Sequence, residues 1–291
     1  MVPIRLLLSL TLGAALGSSC TVLDAPTGDL ELHTRHYVGS QSVERTLRWK
    51  PSETAIIICD MWDNHWCKGA AKRVTELAVP LNEVIEAARQ RGIFVIHAPS
   101  TTVDPYQGTV ARRRAQQAKF SKSPVPLSTS DRWGTKWCWL DKNREPGMPI
   151  DDSDMGCDCA VKCTIRDAWS RQIETIRIDD QDAISDNGQE IYNLLAERGI
   201  TNVILVGVHL NMCVLGRPFG IRQMVYVGKK VVLMRDMTDT MYNSKMAPKV
   251  NHFRGTDLVI QHIERHWCPT ISRADLVGGK PFVFREDSRR P

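Results

Sequence analysis

Short runs of consecutive apolar residues are the strongest pattern in this chain. Four of them stand out: 54–60 (TAIIICD), 93–97 (IFVIH), 202–207 (NVILVG) and 230–234 (KVVLM). A short run that is apolar at every position is typical of a strand buried on both faces. We therefore predict four strands of a parallel sheet, with a weaker fifth strand over 175–178.

Between these runs, apolar residues recur every three or four positions. The clearest set is Leu77, Leu81, Val84, Ile85 and Ala88. It predicts a helix that tolerates Pro80 in its first turn and ends at Gly92. Further helices are predicted before Gly199, over about 212–224 and over 257–266. This alternation predicts the α/β class, a three-layer fold whose parallel sheet has helices on both faces.

The N-terminus has the pattern of an export signal. Arg5 precedes an apolar run over 6–16, small residues follow, and Cys20 ends the segment. We therefore expect residues 1–20 to be a signal peptide or a lipoprotein signal, and the protein to be exported as periplasmic, secreted or lipid-anchored. Membrane attachment is expected only through a lipidated Cys20, and plain cleavage is the alternative.

The remaining chain divides into three parts. Residues 21–51 read as a polar leader, 52–280 as the folded domain and 281–291 as a C-terminal tail. Within the domain, residues 99–165 interrupt the alternation of predicted strands and helices and contain many prolines, tryptophans and cysteines. We expect this long insertion to cover one end of the sheet, either as a functional element or as a brace.

Composition narrows the class of protein. The chain has 291 residues, of which 42% are hydrophobic and 24% charged, as in an ordinary globular protein. The net charge of +5 is spread along the chain, which argues against a nucleic-acid partner. No phosphate-binding glycine motif is present, so we expect no nucleotide and no other cofactor.

The cysteines allow two interpretations. An exported chain tolerates disulfides, and six of the nine cysteines would form three bridges if Cys20, Cys59 and Cys213 are set aside. Those six are Cys67, Cys138, Cys157, Cys159, Cys163 and Cys268. Alternatively, the three thiols of the GCDCAVKC segment could bind a metal, although no second CxxC or HxxxH pair lies nearby. We expect disulfides and no metal.

Reactive residues stand where the predicted strands end. Asp60 ends the first strand, and Cys213 follows the strand over 202–207 within GVHLNMCVL. In parallel sheets, chemistry lies at the carboxyl ends of the strands. A cysteine at the start of a helix is expected to have a lowered thiol pKa, and a neighbouring carboxylate can accept its proton.

The pairing of an apolar strand ending in Asp60 with GVHLNMCV resembles the isochorismatase-like cysteine hydrolases, which include nicotinamidases, N-carbamoylsarcosine amidases and isochorismatases. The resemblance covers roughly residues 52–265. It implies an acyl-enzyme route in which Cys213 attacks a carbonyl carbon and Asp60 handles the proton. It also implies an oxyanion site of backbone amides near His209 and Cys213, and a cis peptide near Val208–His209. Members of this family are commonly oligomeric, so a homo-oligomer is compatible with the resemblance.

Two departures from the family pattern matter. The window 176–188, where the family has a catalytic lysine, contains Arg177 as its only basic residue. We therefore name Arg177 as the candidate positive partner, with Lys136 or Lys162 of the insertion as other candidates. The DxH element of the nicotinamidase metal site is also absent after the second strand, which argues against a nicotinamidase proper.

Five further residues are candidates for the substrate pocket. They are Trp62, His65, Trp66, His209 and Arg217. The tryptophans could form a wall for a planar substrate, and Arg217, four residues after Cys213, could meet a substrate carboxylate. The sequence thus predicts a hydrolase that cleaves a small amide or related acyl bond. An ether hydrolase without a cysteine nucleophile and a catalytically silent binding domain are the alternatives.

Overall fold

The computed structural model describes residues 28–128, 130–132, 135–138 and 140–288. The predicted signal segment, Cys20, Trp133 and Trp139 lie outside the described residues. The strands are β1 Leu30–Val38, β2 Gln41–Trp49, β3 Thr54–Cys59, β4 Phe94–Ala98, β5 Ser130–Arg132, β6 Thr135–Trp137, β7 Ala183–Ile184, β8 Asn202–Val208, β9 Lys230–Asp239 and β10 Thr270–Ile271. The α-helices are α1 Lys68–Gln90, α2 Val110–Gln117, α3 Gly188–Glu197, α4 Ile221–Tyr226, α5 His252–His266 and α6 Ala274–Val277.

Eight strands form one sheet in the order β2-β1-β10-β9-β8-β3-β4-β7. The six strands from β10 to β7 are parallel, while β1 is antiparallel to both β2 and β10. Along β3, Ile56 and Ile58 pack with α1 on one face, whereas Ile57 packs with α3 to α5 on the other. The predicted α/β class, with helices on both faces of a parallel sheet, is confirmed.

The four strong strands lie where the apolar runs predict them, within one or two residues except that β9 continues to Asp239. The weak strand over 175–178 is wrong. That segment is irregular, and the edge strand β7 follows it at Ala183–Ile184. Of the four residues 175–178 only Ile176 is buried, so the segment lacks the buried face of a strand.

Residues 30–49 form a hairpin that extends the sheet, which the sequence analysis did not predict. Leu30, Leu32 and Thr34 of β1 are buried and alternate with partly or fully exposed residues. This alternation is the pattern of a strand with one solvated face. Because the strand also contains charged residues, its overall composition resembles a polar leader.

Three predicted helices differ from the structure in their bounds. Helix α5 begins at His252 instead of at residue 257. Helix α1 begins at Lys68, so Pro80 lies in its middle instead of its first turn. The helix predicted over 212–224 is divided: a π-helical turn spans Leu210–Val214, and α4 begins at Ile221. Pro218 and Gly220 lie in the break, where a proline cannot supply the backbone N–H that a continuous helix needs.

The predicted insertion contains little regular structure. It includes α2 and the short β5–β6 hairpin, and irregular backbone continues beyond it to β7. Among the described residues, no helix combines the length and apolar character needed to span a membrane.

Candidate active site

Asp60 directly follows β3 and its side chain is fully buried. Its φ is +48°, a left-handed conformation that aspartate tolerates better than most residues. Its backbone N–H donates to the carbonyl of Ala98, and its Oδ1 accepts a hydrogen bond of 2.7 Å from the amide of Ser100. The end of the neighbouring strand β4 therefore fixes the carboxylate in position.

Cys213 lies in the π-helical turn that follows β8, and it is also buried. The Val208–His209 peptide bond before this turn is cis, as the family resemblance implies. The Cys213 thiol lies near the backbone amide of His209 and near the carboxylate of Asp60. Since β3 and β8 are adjacent and parallel, their carboxyl ends place the thiol and the carboxylate together.

Arg217 is the positive partner of this pair. Its Nε lies 3.2 Å from Oδ2 of Asp60, and its side chain is only 2% exposed. The guanidinium also lies over the ring of Trp137, 5.0 Å from the ring centre. Arg217, which is predicted as a substrate contact, lines the cavity and is also the buried counter-ion of Asp60.

The pKa of the Cys213 thiol is raised, contrary to the expectation from its place near a helix start. Burial is the largest cause, the negative charge of Asp60 adds to it, and Arg217 opposes both. Because its pKa is raised, the thiol is protonated at neutral pH. The site thus has a protonated thiol beside the Asp60 carboxyl group, which is paired with Arg217.

Arg177 lies outside this site, which corrects the sequence assignment. Its side chain is 78% exposed and lies 3.7 Å from Glu86, while its backbone contacts Asn82. Both partners belong to the C-terminal half of α1, which leads into the amino end of β4. Lys136 is exposed and pairs with Asp131. The positive charge of the site therefore does not come from the window 176–188, where the family resemblance implies a lysine.

A second carboxyl group lies near Asp60. Burial and the charge of Asp60 raise the pKa of Asp186, and Arg217 lowers it. Oδ2 of Asp186 accepts a hydrogen bond of 2.8 Å from the amide of Thr101. The sequence signal for this residue is its place just after β7, but β7 was not predicted.

A cavity of about 490 Å³ opens above Cys213 and Arg217. Its lining includes all five residues predicted for the substrate pocket: Trp62, His65, Trp66, His209 and Arg217. The other lining residues are Thr101, Met155, Ile165, Arg166, Asp167, Trp169, Met212, Cys213 and Met241. The volume suits a small molecule.

Aromatic rings form one side of the cavity. Trp169 stacks on Trp62 with ring centres 4.3 Å apart and planes 10° from parallel. It also stacks on His65 at 5.5 Å, and its Nε1 donates to Oγ1 of Thr101. Sequence reasoning missed Trp169, because it lies in a segment with no periodic pattern.

The two histidines of the cavity are neutral at neutral pH. Burial lowers the pKa of His65 to about 4, and burial lowers the pKa of His209 as well. The rings are 5.0 Å apart in an edge-to-face arrangement. They therefore offer apolar faces and neutral ring nitrogens to a substrate instead of positive charge.

All eight described cysteines are free thiols in the structure. The predicted three-bridge arrangement is therefore not present. The thiols of Cys67, Cys157 and Cys159 lie within 4.8 Å of one another, a spacing at which the three sulfurs could hold a metal ion.

No family model matches this sequence, and no curated protein matches it. Similar solved structures include a cysteine hydrolase from Pseudomonas syringae pv. phaseolicola, which is 17% identical with a TM-score of 0.48 over 79% of this chain and 94% of the other. An isochorismatase-family protein from Burkholderia thailandensis is 15% identical, with a TM-score of 0.43 over 78% and 94%. An isochorismatase from Pseudomonas putida is 12% identical, with a TM-score of 0.44 over 78% and 91%.

Proposed function

We propose that this protein is a cysteine hydrolase that cleaves a small amide or related acyl bond. One observation supports the proposal above all: the Cys213 thiol lies beside Asp60, which is paired with Arg217, at the base of a cavity large enough for a small molecule. A nucleophile, a base and a third group that orients the base form a recurrent arrangement for covalent catalysis.

In the proposed reaction, Asp60 accepts the thiol proton as Sγ of Cys213 attacks the carbonyl carbon. The resulting oxyanion is held by backbone amides near His209 and Cys213. Asp60 then gives the proton to the leaving nitrogen as the carbon–nitrogen bond breaks, which leaves an acyl thioester. Water attacks the thioester with Asp60 as base, and the acid product leaves as the thiol regains its proton.

Arg217 takes the electrostatic place of the lysine that the family resemblance implies. Arginine stays protonated and does not readily exchange a proton, so it serves here only as a fixed positive charge. Its contact with Asp60 holds the carboxyl group in place beside the thiol. Its attraction for the sulfur lowers the cost of forming a thiolate in a buried site.

The cavity favours a planar, uncharged or weakly polar substrate. The stacked rings of Trp62, Trp169 and His65 offer flat apolar surface, and both histidines are neutral. Arg166 and Asp167 supply one charge of each sign at the exposed side of the cavity. A planar amide or an aromatic acyl group matches these features.

Trapping of the acyl intermediate tests the proposal. We would incubate the protein with a panel of small aromatic and aliphatic amides and esters, quench in acid, and measure the masses of the intact chain and of its proteolytic peptides. We expect product release and a mass increase on the peptide that contains Cys213, and we expect no such increase in Cys213→Ala.

Two results would contradict it. Turnover that survives in Cys213→Ala indicates an ether or other hydrolase without a cysteine nucleophile. Saturable ligand binding without turnover or adduct indicates a silent binding domain.

We also propose that the chain is exported, on the basis of the N-terminal segment described above. The mass of the mature protein tests this: loss of about the first twenty residues indicates cleavage, and an added lipid on Cys20 indicates a membrane anchor. An intact N-terminus would contradict the proposal. A homo-oligomer likewise remains a proposal, which light scattering of the purified protein tests.

A further inference from the structure

Four cysteines from two distant parts of the chain meet beside the cavity. Cys67 is the residue before α1, whereas Cys157, Cys159 and Cys163 come from the irregular segment before β7. Cys157 and Cys159 lie close to Cys67, and Cys163 packs against the same group of buried residues. We call these four residues the cysteine cluster. Cys67 is the additional ligand that the GCDCAVKC segment lacks when it is read alone.

The sulfur spacing in the cluster fits a tetrahedral metal ion. Sγ of Cys67 and Sγ of Cys159 are 3.8 Å apart. A Zn–S bond of about 2.3 Å in a tetrahedral site places two sulfurs about 3.8 Å apart. A disulfide would require about 2.05 Å. The observed separation matches two ligands of one ion as well as two thiols in contact, and it is too long for a disulfide.

A backbone amide points at a sulfur of the cluster. Gly69 donates a hydrogen bond to Sγ of Cys159 at 3.2 Å. Hydrogen bonds of this kind stabilise thiolates and orient metal ligands. Buried thiols packed only as apolar side chains need no such donors.

An ion pair fixes the two parts of the chain next to the cluster. Asp158, between two of the cysteines, lies 2.8 Å from Nη1 of Arg73, and Arg73 also binds Asp239 at 2.7 Å. Gly69 lies so close that an added Cβ would come within 2.7 Å of Asp158. The start of α1 and the cysteine-containing loop are thus held together before any ion binds.

We propose that Cys67, Cys157, Cys159 and Cys163 bind one zinc ion, or a similar thiophilic divalent cation, as a structural site. Four thiolate ligands leave no open position, which is the donor set of structural and not catalytic zinc. Binding releases the thiol protons and needs no oxidant. The same loop supplies Met155, Ile165 and Trp169 to the cavity, so the ion would fix the cavity's outer wall. The proposal is independent of the reaction assigned to Cys213.

Metal analysis of the full-length protein, purified without reducing agent or chelator, tests the proposal. We expect one zinc ion per chain by plasma mass spectrometry, and a zinc X-ray absorption spectrum with sulfur neighbours at about 2.3 Å. After exchange with cobalt(II), the sulfur-to-cobalt charge-transfer bands of a tetrahedral thiolate site are expected. These measurements need no variant and no substrate.

Two variants locate the site. Cys159→Ser is expected to lose the zinc and the cobalt bands, whereas Cys268→Ala, which removes a buried thiol outside the cluster, is expected to keep both. Chelator treatment of the wild type is expected to make the cluster thiols reactive to a thiol reagent. A metal-free protein with disulfides in these peptides, or zinc retained by Cys159→Ser, would overturn the proposal.

Discussion

The two sides of the cavity are built in different ways. On the inner side, Cys213 and Arg217 line the cavity and Asp60 lies behind them, and all three residues are buried. The outer side comes from the irregular segment, where Ile165 is 53% exposed and Arg166 is exposed. Strand ends fix atoms accurately, and loops vary the shape around them. We infer that the inner side performs the chemistry and the outer side selects the substrate.

Replacing Asp60 should affect the inner side most. Asp60→Asn keeps the size and the tolerance for positive φ but removes the base, so we expect activity to fall by about a thousandfold or more. Because the carboxylate raises the pKa of Cys213, its loss should shift alkylation of this thiol to lower pH. Iodoacetamide labelling from pH 5 to 9, mapped by peptide mass spectrometry, measures the shift. An active Asp60→Asn enzyme, or an unchanged labelling profile, would refute this role.

Removal of Arg217 comes next in size. Arg217→Met leaves the Asp60 carboxylate buried without its counter-ion, which costs about 3–5 kcal/mol of the free energy of unfolding. Activity should fall by about a hundredfold, and labelling of Cys213 should move to higher pH. Arg217→Lys retains the charge and should recover much of both. Urea unfolding and kinetics measure these effects, and a fully active, stable Arg217→Met variant would contradict the assignment.

His65, which lines the cavity, makes the stability of the folded protein depend on pH. Its folded-state pKa of about 4 is below the ordinary value of 6.5, so the folded protein binds fewer protons than the unfolded chain in this range. Stability should therefore fall as the pH drops from 6.5 to 4, by about 3 kcal/mol from this residue. Between pH 7 and pH 4, the melting temperature of His65→Gln should fall less steeply than that of the wild type. The same slope in wild type and variant would disprove the effect.

Trp169 tests the outer side, with the smallest expected effect. Trp169→Ala removes the ring that stacks on Trp62, and stacked aromatic pairs contribute about 1 kcal/mol beyond their buried area. We expect KM for a planar substrate to rise about tenfold while kcat changes little. Trp169→Phe should retain most of the binding. A large loss of kcat in Trp169→Ala would contradict the assignment of chemistry to the inner side and substrate selection to the outer side.

The sequence permits prediction of the inner side because each reactive residue ends a recognisable apolar run. Asp60 and Cys213 are placed by the strands before them, and parallel pairing brings them together. The role of Arg217 was not predictable, since spacing along a helix does not reveal burial or a carboxylate partner. Arg177 was selected from a sequence window, but the backbone there runs along α1 toward the opposite end of the sheet.

The outer side was largely unpredictable for a different reason. The contacts of Trp169 and of the cysteine cluster depend on the path of a long segment without regular hydrogen bonding. Asp63, for example, accepts hydrogen bonds from the amide and the hydroxyl of Ser170, more than one hundred positions away. No periodic pattern encodes such contacts. The β1–β2 hairpin was missed because charged residues on its exposed face mask the alternation of β1.

That hairpin has a consequence for how the protein behaves in crowded solution. It places β2 at one outer edge of the sheet, where Glu44, Arg45 and Arg48 are exposed. The opposite edge is β7, which is only two residues long. Exposed edges of long, uncharged strands recruit other chains and start aggregates, whereas charge and shortness prevent such pairing. Both borders of this sheet are therefore protected against open-ended polymerisation.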